Sequence, residues 1–167
     1  MDIPSLHKRD APKTASAAII TVSSRFSGEK GDAGGDLIER MLKDAHIQVV
    51  SRDRVPDELE LITERIRNSA EKADLIITTG GTGLSKDDFT VEAAHPLFDK
   101  ELKAFHVLFT QLSHGQIGSS AVMSNATAGI IGNSVCFCLP GSPDACRLAL
   151  EKIILPEISH IKQQVRK

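Results

Sequence analysis

The stretch LIITTGGTGLSKDDFT, residues 75–90, sets a short apolar and β-branched run directly before three glycines and two adjacent aspartates. Such a run predicts a buried strand. Gly80, Gly81 and Gly83 would then form a loop at the carboxyl end of that strand. Because glycine lets backbone N–H groups approach a ligand closely, the loop suits a phosphate or a flat polar ring. A tight strand-to-helix turn is the structural alternative, since the loop matches neither a Walker A nor a GxGxxG pattern.

Strands and helices alternate on the amino-terminal side of this stretch. Apolar runs predict strands at residues 17–23, 47–50 and 75–78, and residues at helical spacing predict an amphipathic helix in each interval. We expect Asp57 to be the N-cap of the second helix, in a capping box with Glu60. This order is typical of βαβ units.

The carboxyl-terminal side continues with helical and extended patterns. Helices are predicted over residues 91–98 and 105–112, with Gly115 and Gly118 breaking the second. The stretch AGIIGNSVCFCLPG, residues 128–141, predicts two short strands around a tight reversal. A last helix should then begin after that stretch.

Ser142 is the expected N-cap of this last helix, and Pro156 should kink or restart it. The alternation predicts an α/β fold, a three-layer sandwich around a mainly parallel β-sheet. We expect a single domain over residues 16–167 after a flexible arm at residues 1–15. Ligands of such sheets lie beyond the carboxyl ends of the strands, so the loops TTGGTG and LPGSP could face one pocket.

Composition excludes several classes of function. Twenty basic and twenty-two acidic residues give a formal net charge of −2, and no basic stripe indicates a nucleic-acid partner. No segment approaches the roughly 20 apolar residues of a membrane span, and we expect a cytoplasmic protein. Cys136, Cys138 and Cys146 are an odd number, which favours buried, reduced thiols over a disulfide framework. Without a histidine at metal-ligand spacing, we do not expect Cys136 and Cys138 to bind zinc.

Adjacent carboxylates follow the glycine loop. Asp87 and Asp88 would repel a phosphate unless a cation such as Mg²⁺ lay between them, which predicts metal-assisted phosphate chemistry. In the structural alternative, Asp88 only caps a helix that starts near Thr90, and Asp57 is likewise only a cap. Ser142 also has two interpretations, as a helix cap and as an anion contact.

Together these motifs resemble the MoaB/MogA family of molybdenum cofactor biosynthesis, the molybdopterin adenylyltransferases. The resemblance covers residue 17 to about residue 160. Its most specific parts are TTGGTGLSKDDFTVEA, VPD and LPGSP, in the order and at about the spacing that the family shows. The stretches TVSSR and MSNATAGI match more loosely.

The resemblance implies an α/β domain that forms a homotrimer, sometimes paired into a hexamer. It also implies transfer of AMP from ATP to the terminal phosphate of molybdopterin, with release of pyrophosphate and with Mg²⁺. The two functional carboxylates, catalytic and metal-binding, would be Asp57 and Asp88. The pterin side would be held by Thr79, Gly80, Gly81, Thr82, Gly83 and Ser142, and the nucleotide side by Ser124, Ser23 and, more weakly, Asp32.

The sequence departs from the family pattern at several positions. Ser24 stands where the family often has Asp, Asn125 where it often has Arg, and Gly34 where Ser is frequent. The segment KELKAFHVLFT resembles KEIPGFGELFR, but Val107 and Thr110 replace its Glu and Arg. These departures leave open a second hypothesis, a non-catalytic molybdopterin-binding protein of the same pathway. A third keeps the fold with another reaction, as in molybdenum-insertion and CinA-type proteins, although those usually carry further domains. Trimer against hexamer, and molybdenum against tungsten, also stay open.

Overall fold

The computed structural model describes residues 15–23 and 31–166. The strands are β1 (Ser16–Val22), β2 (Gln48–Val55), β3 (Leu75–Thr79), β4 (Lys100–Glu101), β5 (Thr127–Ile131) and β6 (Ser134–Leu139). The helices are α1 (Ala33–Asp44), α2 (Leu59–Ala70), α3 (Thr90–Ala94), α4 (Lys103–Ile117), α5 (Pro143–Ala149) and α6 (Leu155–Val165). Apart from Ala15, the predicted N-terminal arm lies outside the described residues, as does Ser24.

The six strands form one sheet in the order β2-β1-β3-β6-β5-β4. Strands β2, β1, β3 and β6 are parallel, whereas β5 and β4 run antiparallel to their neighbours. The predicted mainly parallel sheet is therefore confirmed. Thr79 on β3 lies opposite Thr21 on β1 and Leu139 on β6. This register aligns the carboxyl ends of the three central strands, so the loops that follow them leave the sheet at one edge.

Helices cover both faces of the sheet, which confirms the three-layer arrangement. Successive strand residues point to opposite faces, so Ile19 and Ile77 pack with α1, α4, α5 and α6, whereas Ile20 and Ile76 pack with α2 and α3. All four isoleucines are fully buried. Each face therefore has its own apolar core, and the central strands are fixed from both sides. Within the described residues, no helix has the length and apolar composition that crossing a bilayer requires.

Several elements differ from the prediction. The helix predicted over residues 91–98 is α3 followed by a 3₁₀ turn, His95–Leu97. Strand β2 extends from residue 48 to residue 55, beyond the predicted residues 47–50, because an edge strand tolerates alternating polar and charged side chains. The two-residue β4 was not predicted, since so short a strand has no periodicity to detect. Helix α4 passes through Gly115 and ends at Gly118, where φ is +61°. Only the second glycine ends the helix, because only its backbone takes a conformation that favours glycine.

The predicted capping box at Asp57 is wrong. Glu58 is the N-cap of α2 and makes no side-chain capping bond. The Asp57 carboxylate instead accepts a hydrogen bond of 2.9 Å from the backbone N–H of Phe89. Because the chain is extended at Glu58, with φ −130° and ψ 126°, the preceding side chain is not placed to cap the helix. Asp57 therefore connects the loop after β2 to the loop before α3 and does not cap a helix.

The last helical region behaves as predicted. Ser142 caps α5, with its hydroxyl accepting from the N–H of Ala145 at 3.3 Å. A π-helical segment, Leu150–Ile154, separates α5 from α6, and Pro156 lies in the first turn of α6. Proline has no N–H to donate and its ring crowds the preceding turn, so the regular helix restarts at this point. Cys136, Cys138 and Cys146 are buried, as expected.

Candidate functional site

A cavity of about 480 Å³ lies at the carboxyl ends of the central strands. Both glycine-bearing loops reach it, the loop after β3 through Gly80 to Gly83 and the loop after β6 through Pro140 and Gly141. We call it the main cavity. Its lining residues are Val22, Ser23, Asp57, Gly80, Gly81, Thr82, Gly83, Asp88, Met123, Ser124, Pro140 and Gly141. The structure thus brings together both predicted carboxylates, four of the predicted loop residues and two of the predicted serines.

The shape of the loop after β3 requires glycine. Gly80 and Gly81 have φ values of +97° and +66°, which side-chain-bearing residues rarely adopt. A Cβ at Gly81 would collide with the hydroxyl of Thr90 and lie 2.8 Å from Asp57 Oδ2. Thr90 holds the loop in place, since its N–H donates to the Gly81 carbonyl at 2.9 Å and its hydroxyl to the Gly80 carbonyl at 2.7 Å. The first residue of α3 thereby fixes the turn.

The N–H groups of this loop are available to a ligand. Asn125 occupies the remaining carbonyls, with its N–H donating to Thr82 at 3.0 Å and its side-chain amide to Gly83 at 3.4 Å. The backbone N–H groups of Gly81, Thr82 and Gly83 have no acceptor among the described residues. Because unpaired N–H groups at a loop make a site for anions, the loop suits a phosphate oxygen.

The Asp57 carboxylate is surrounded by other negatively charged carboxylates. Burial raises the pKa of Asp57 above its ordinary value, and the neighbouring carboxylates of Asp88, Glu92 and Asp87 raise it further. The bond from Phe89 opposes this rise without cancelling it. Asp57 Oδ2 has no hydrogen-bond donor among the described residues. A positive charge brought to this carboxylate would therefore relieve an unfavourable arrangement.

Asp88 is the second carboxylate of the main cavity. Its Oδ2 accepts from the N–H of Ser85 at 3.0 Å and lies 2.6 Å from where a Cβ would stand at Gly83. The N-cap of α3 is Phe89, without a side-chain capping bond. The alternative that Asp88 merely caps this helix is therefore wrong, because the Asp88 carboxylate bonds inside its own loop.

A smaller cleft of about 260 Å³ adjoins the main cavity and shares Val22, Ser23 and Gly141 with it. We call it the side cleft. Thr79 lines the side cleft and not the main cavity, and its hydroxyl donates to the carbonyl of Pro140 at 3.0 Å. Thr79, a predicted pterin contact, thus lies in the side cleft, whereas the glycine loop that follows it lines the main cavity.

Asp32 also lines the side cleft, and its carboxylate is already occupied. It caps α1 through the N–H of Gly35 at 3.0 Å, and it accepts from Thr21 Oγ1 at 2.6 Å and from Arg52 at 3.1 Å. Burial alone would raise the pKa of Asp32, but these bonds outweigh burial and lower it. The Asp32 carboxylate is therefore ion-paired and hydrogen-bonded within the fold, and its role on the nucleotide side stays a prediction.

Ser142 lines neither cavity, because its hydroxyl caps α5. Sequence reasoning missed Met123 and Pro140 in the main cavity and Arg54 in the side cleft. The apolar side chains of Met123 and Pro140 form no chemical pattern that indicates ligand binding. The signal for Arg54 was the alternation of charged residues that extends β2 to Val55, directly before the VPD motif.

Comparison with known proteins shows which family the chain is similar to. The family model described as "Probable molybdopterin binding domain" matches residues 17–160. Molybdenum cofactor biosynthesis protein B of Bacillus cereus is 42% identical over 158 residues, which cover 93% of each chain. A crystal structure of Molybdenum cofactor biosynthesis protein B has a TM-score of 0.88 at 41% identity and covers 94% of this chain and 99% of its own. The tungsten cofactor synthesizing protein MoaB from Pyrococcus furiosus has a TM-score of 0.87 at 39% identity, covering 94% and 100%.

The family model spans most of the chain, and the relatives are matched over nearly their full length. The motifs around Asp57, Asp88 and the glycine loop fall within the matched residues. The chain therefore belongs to the MoaB/MogA family of molybdenum cofactor biosynthesis proteins.

Proposed function

We propose that this protein adenylylates molybdopterin, transferring AMP from ATP to the terminal phosphate of molybdopterin and releasing pyrophosphate. One observation carries the proposal. Asp57 and Asp88 line the same cavity as the glycine loop, whose N–H groups at residues 81–83 have no acceptor among the described residues, and neither carboxylate caps a helix. The site therefore holds groups that bind phosphates and groups that bind the cation which phosphates require.

The chemistry needs little from a general base. A phosphate monoester has a second pKa near about 6, so at neutral pH it is already an anionic nucleophile. One of its oxygens forms a bond to the α-phosphorus of ATP as the bond from that phosphorus to the bridging oxygen breaks. The electron pair and charge leave with pyrophosphate. The protein must align two anions and offset their repulsion, and the N–H groups of Gly81, Thr82 and Gly83 are arranged for this.

The donor set fits Mg²⁺. Carboxylate oxygens are ligands that Mg²⁺ prefers, and Mg²⁺ is commonly held by one or two carboxylates together with substrate phosphates. Among the described residues, no group of three or more His, Cys, Asp or Glu is placed to hold a metal ion. Asp57 and Asp88 therefore suit an ion shared with the substrates rather than a fully enclosed one. Held there, Mg²⁺ supplies positive charge to the phosphate oxygens.

The raised pKa of Asp57 supports this assignment. A carboxylate that is partly buried beside three other carboxylates is more costly to ionise, and its ionised form is favoured when a cation binds. We therefore expect Mg²⁺ binding to release protons when the pH is near the folded pKa of Asp57. Asp57 would hold the ion and would not need to move a proton in the reaction.

The test is a chromatographic assay for adenylylated molybdopterin with purified protein, molybdopterin, ATP and Mg²⁺. Asp88→Asn should reduce the rate by about 10²-fold or more, because the variant would hold less tightly the Mg²⁺ that offsets the charge developing on the phosphates. Asp87→Asn is the matched control, since Asp87 is the adjacent carboxylate but is exposed and lines neither cavity. Full activity in Asp88→Asn would remove the role assigned to this carboxylate.

A second candidate function is binding of molybdopterin without ATP turnover. Asn125, where the family often has Arg, donates its side-chain amide to the Gly83 carbonyl. No Arg or Lys is among the described residues that line the main cavity. Val107 and Thr110 lie on α4 and line neither cavity. This candidate predicts tight molybdopterin binding and no adenylylated product under conditions that saturate the wild-type protein with ATP and Mg²⁺.

Assembly into a trimer or hexamer is part of the proposal. Large apolar side chains are exposed along α4 and the 3₁₀ segment after it, with Val107 53% and Val122 73% exposed. Other exposed members are Leu108, Ile117 and Met123. Exposed large apolar side chains are typical of association sites when they form one patch. Light scattering coupled to size exclusion should give three or six times the 18.0 kDa chain mass, and a monomer would contradict assembly. The cytoplasmic location and the absence of a nucleic-acid partner stay predictions from sequence.

A further inference from the structure

The side cleft contains a cation that the proposed reaction has not used. Arg54, near the end of β2, lines this cleft together with Ser23, Gly34, Thr79 and Gly141. Among the described residues that line either cavity, Arg54 is the one Arg or Lys. A guanidinium carries its charge at every physiological pH and presents several N–H donors in a planar fork. It is suited to contact two phosphate oxygens at once.

Arg54 has no carboxylate partner within ion-pair distance among the described residues. The acidic side chains nearby are already paired with Arg52, which contacts Asp32, Asp36 and Glu39. Asp32, the carboxylate that lines the cleft, also accepts from Thr21 and Gly35. Within the described part of the chain, the cleft therefore presents an unpaired cation beside an ion-paired carboxylate. This arrangement favours an anionic ligand.

The side cleft is continuous with the main cavity. Val22, Ser23 and Gly141 line both, so a ligand that passes the end of β1 extends from one into the other. The main cavity holds the glycine loop and both carboxylates, where the α-phosphate would react. An extended polyphosphate has its other phosphates on the side away from the attacking group, since the leaving group departs opposite the nucleophile.

We propose that the side cleft binds the β- and γ-phosphates of ATP, with Arg54 contacting the pyrophosphate that leaves. This assignment rests on the proposed adenylyl transfer. As the bond between the α-phosphorus and the bridging oxygen breaks, its electron pair stays on that oxygen and the charge of the pyrophosphate grows. Arg54 stabilises this charge and also contributes to ground-state binding of ATP. Molybdopterin, whose phosphate lies on the attacking side, makes no contact with Arg54.

The test uses inorganic pyrophosphate with Mg²⁺ as the probe, titrated by calorimetry into wild type, Arg54→Ala, Arg54→Lys and Arg67→Ala. Arg67 is an exposed arginine in the last turn of α2 and lines neither cavity, so its variant controls for loss of one positive charge. We expect the Kd of Arg54→Ala to rise by about 10-fold or more, because a charge-assisted hydrogen bond is lost. Arg54→Lys should fall between, since lysine keeps the charge without the fork. Arg67→Ala should match wild type.

Equal Kd values for Arg54→Ala and Arg67→Ala, or no binding of pyrophosphate to the wild-type protein, would overturn the inference. The adenylylation assay separates this failure from failure of the proposed function. Product from wild type, with the same KM for ATP in Arg54→Ala and Arg67→Ala, would leave the function standing without the Arg54 contact. Pyrophosphate binding that depends on Arg54, in a wild-type protein that forms no product, would support the phosphate subsite and contradict the adenylyl transfer. Molybdopterin affinity should be the same in all four proteins.

Discussion

The two ends of the sheet each hold a partly buried aspartate, and the two carboxylates have opposite surroundings. At the amino ends of the strands, Asp74 contacts Lys162 Nζ at 2.8 Å and Arg166 Nη2 at 2.6 Å, and it accepts from the Ser16 N–H at 2.9 Å. At the carboxyl ends, Asp57 has a backbone bond from Phe89 and acidic neighbours. Asp74 is surrounded by cations and hydrogen-bond donors, whereas Asp57 has other carboxylates as neighbours.

The pKa values move in opposite directions for this reason. Burial raises the pKa of Asp57, and Asp88 adds to the rise. Burial would also raise the pKa of Asp74, but hydrogen bonds from Lys162 and Ser16 outweigh it and lower the value. A carboxylate paired in this way stabilises the fold, whereas a cluster of like charge in a cavity is retained for a ligand or cation. This contrast supports the proposal that the amino ends of the strands serve stability and the carboxyl ends serve binding.

The largest expected loss of stability comes from the amino ends. Asp74→Ala should lower the free energy of unfolding by about 3–5 kcal/mol, because Lys162, whose side chain is only 7% exposed, and Arg166 would both lose their contacts with this carboxylate. Urea denaturation measures this loss. Asp53→Ala is the control, since its pair with the more exposed Arg65 should contribute no more than about 1 kcal/mol. Equal losses in the two variants would contradict a special role for Asp74.

A smaller loss is expected at the glycine loop. Gly81→Ala places a side chain at φ +66° and against Thr90, so it should cost about 1–3 kcal/mol and abolish phosphate binding. Gly115→Ala is the matched control within α4, where an added Cβ meets nothing within 4 Å. It should stabilise the protein by about 0.4–1 kcal/mol. Thermal unfolding compares the two, and a loss in Gly115→Ala alone would contradict the assignment.

The smallest effect is expected for Asp57→Asn at neutral pH, which should leave stability unchanged or raise it by up to about 1 kcal/mol. The asparagine Oδ1 can still accept from Phe89, and the repulsion from Asp88 is removed. A loss of several kcal/mol would show that the Asp57 carboxylate stabilises the fold, contrary to this account.

The pH dependence gives the sign of each carboxylate's contribution. For Asp57 the folded pKa lies above the ordinary 3.8, so the native state holds the proton more tightly. Wild type should therefore gain stability relative to Asp57→Asn as the pH falls through that folded value.

For Asp74 the folded pKa lies below 3.8. Its contribution is present above that ordinary value and is lost as the pH falls through the folded value. The advantage of wild type over Asp74→Asn should thus shrink in acid. Denaturation from neutral pH to well below pH 3.8 measures both differences, and parallel curves over that whole range would contradict the opposite signs.

Much of the fold was predictable because periodicity is a local property. The buried strands around Ile19 and Ile77 and the hairpin at Gly132 have clear patterns and turn residues. The extent of β2 and the existence of β4 were not predictable, since both depend on pairing at an edge of the sheet. The glycine loop and its neighbouring aspartates were apparent from residue types alone.

The roles of individual residues were harder to predict. The sequence around Asp57 is typical of an N-cap, and only the folded structure shows that its carboxylate bonds to a second loop through Phe89. Asp32 lines the side cleft, as a residue on the nucleotide side would, but the sequence does not show that its carboxylate is hydrogen-bonded by Thr21 and Arg52. Such pairing is tertiary, and no spacing rule reports it. The place of Arg54 was not predictable for the same reason, because the absence of an ion-pair partner among the described residues is a property of the folded chain.

The most direct test of this division compares Asp57→Asn with Asp74→Asn for both adenylyl transfer per folded molecule and free energy of unfolding. The account predicts that Asp57→Asn loses about 10²-fold or more in rate while keeping its stability, because the charge of Asp57 would hold the Mg²⁺ that the phosphates require. Asp74→Asn should keep its rate and lose stability. Full turnover in Asp57→Asn, or a loss of turnover in well-folded Asp74→Asn, would contradict the separation of a binding end from a stabilising end.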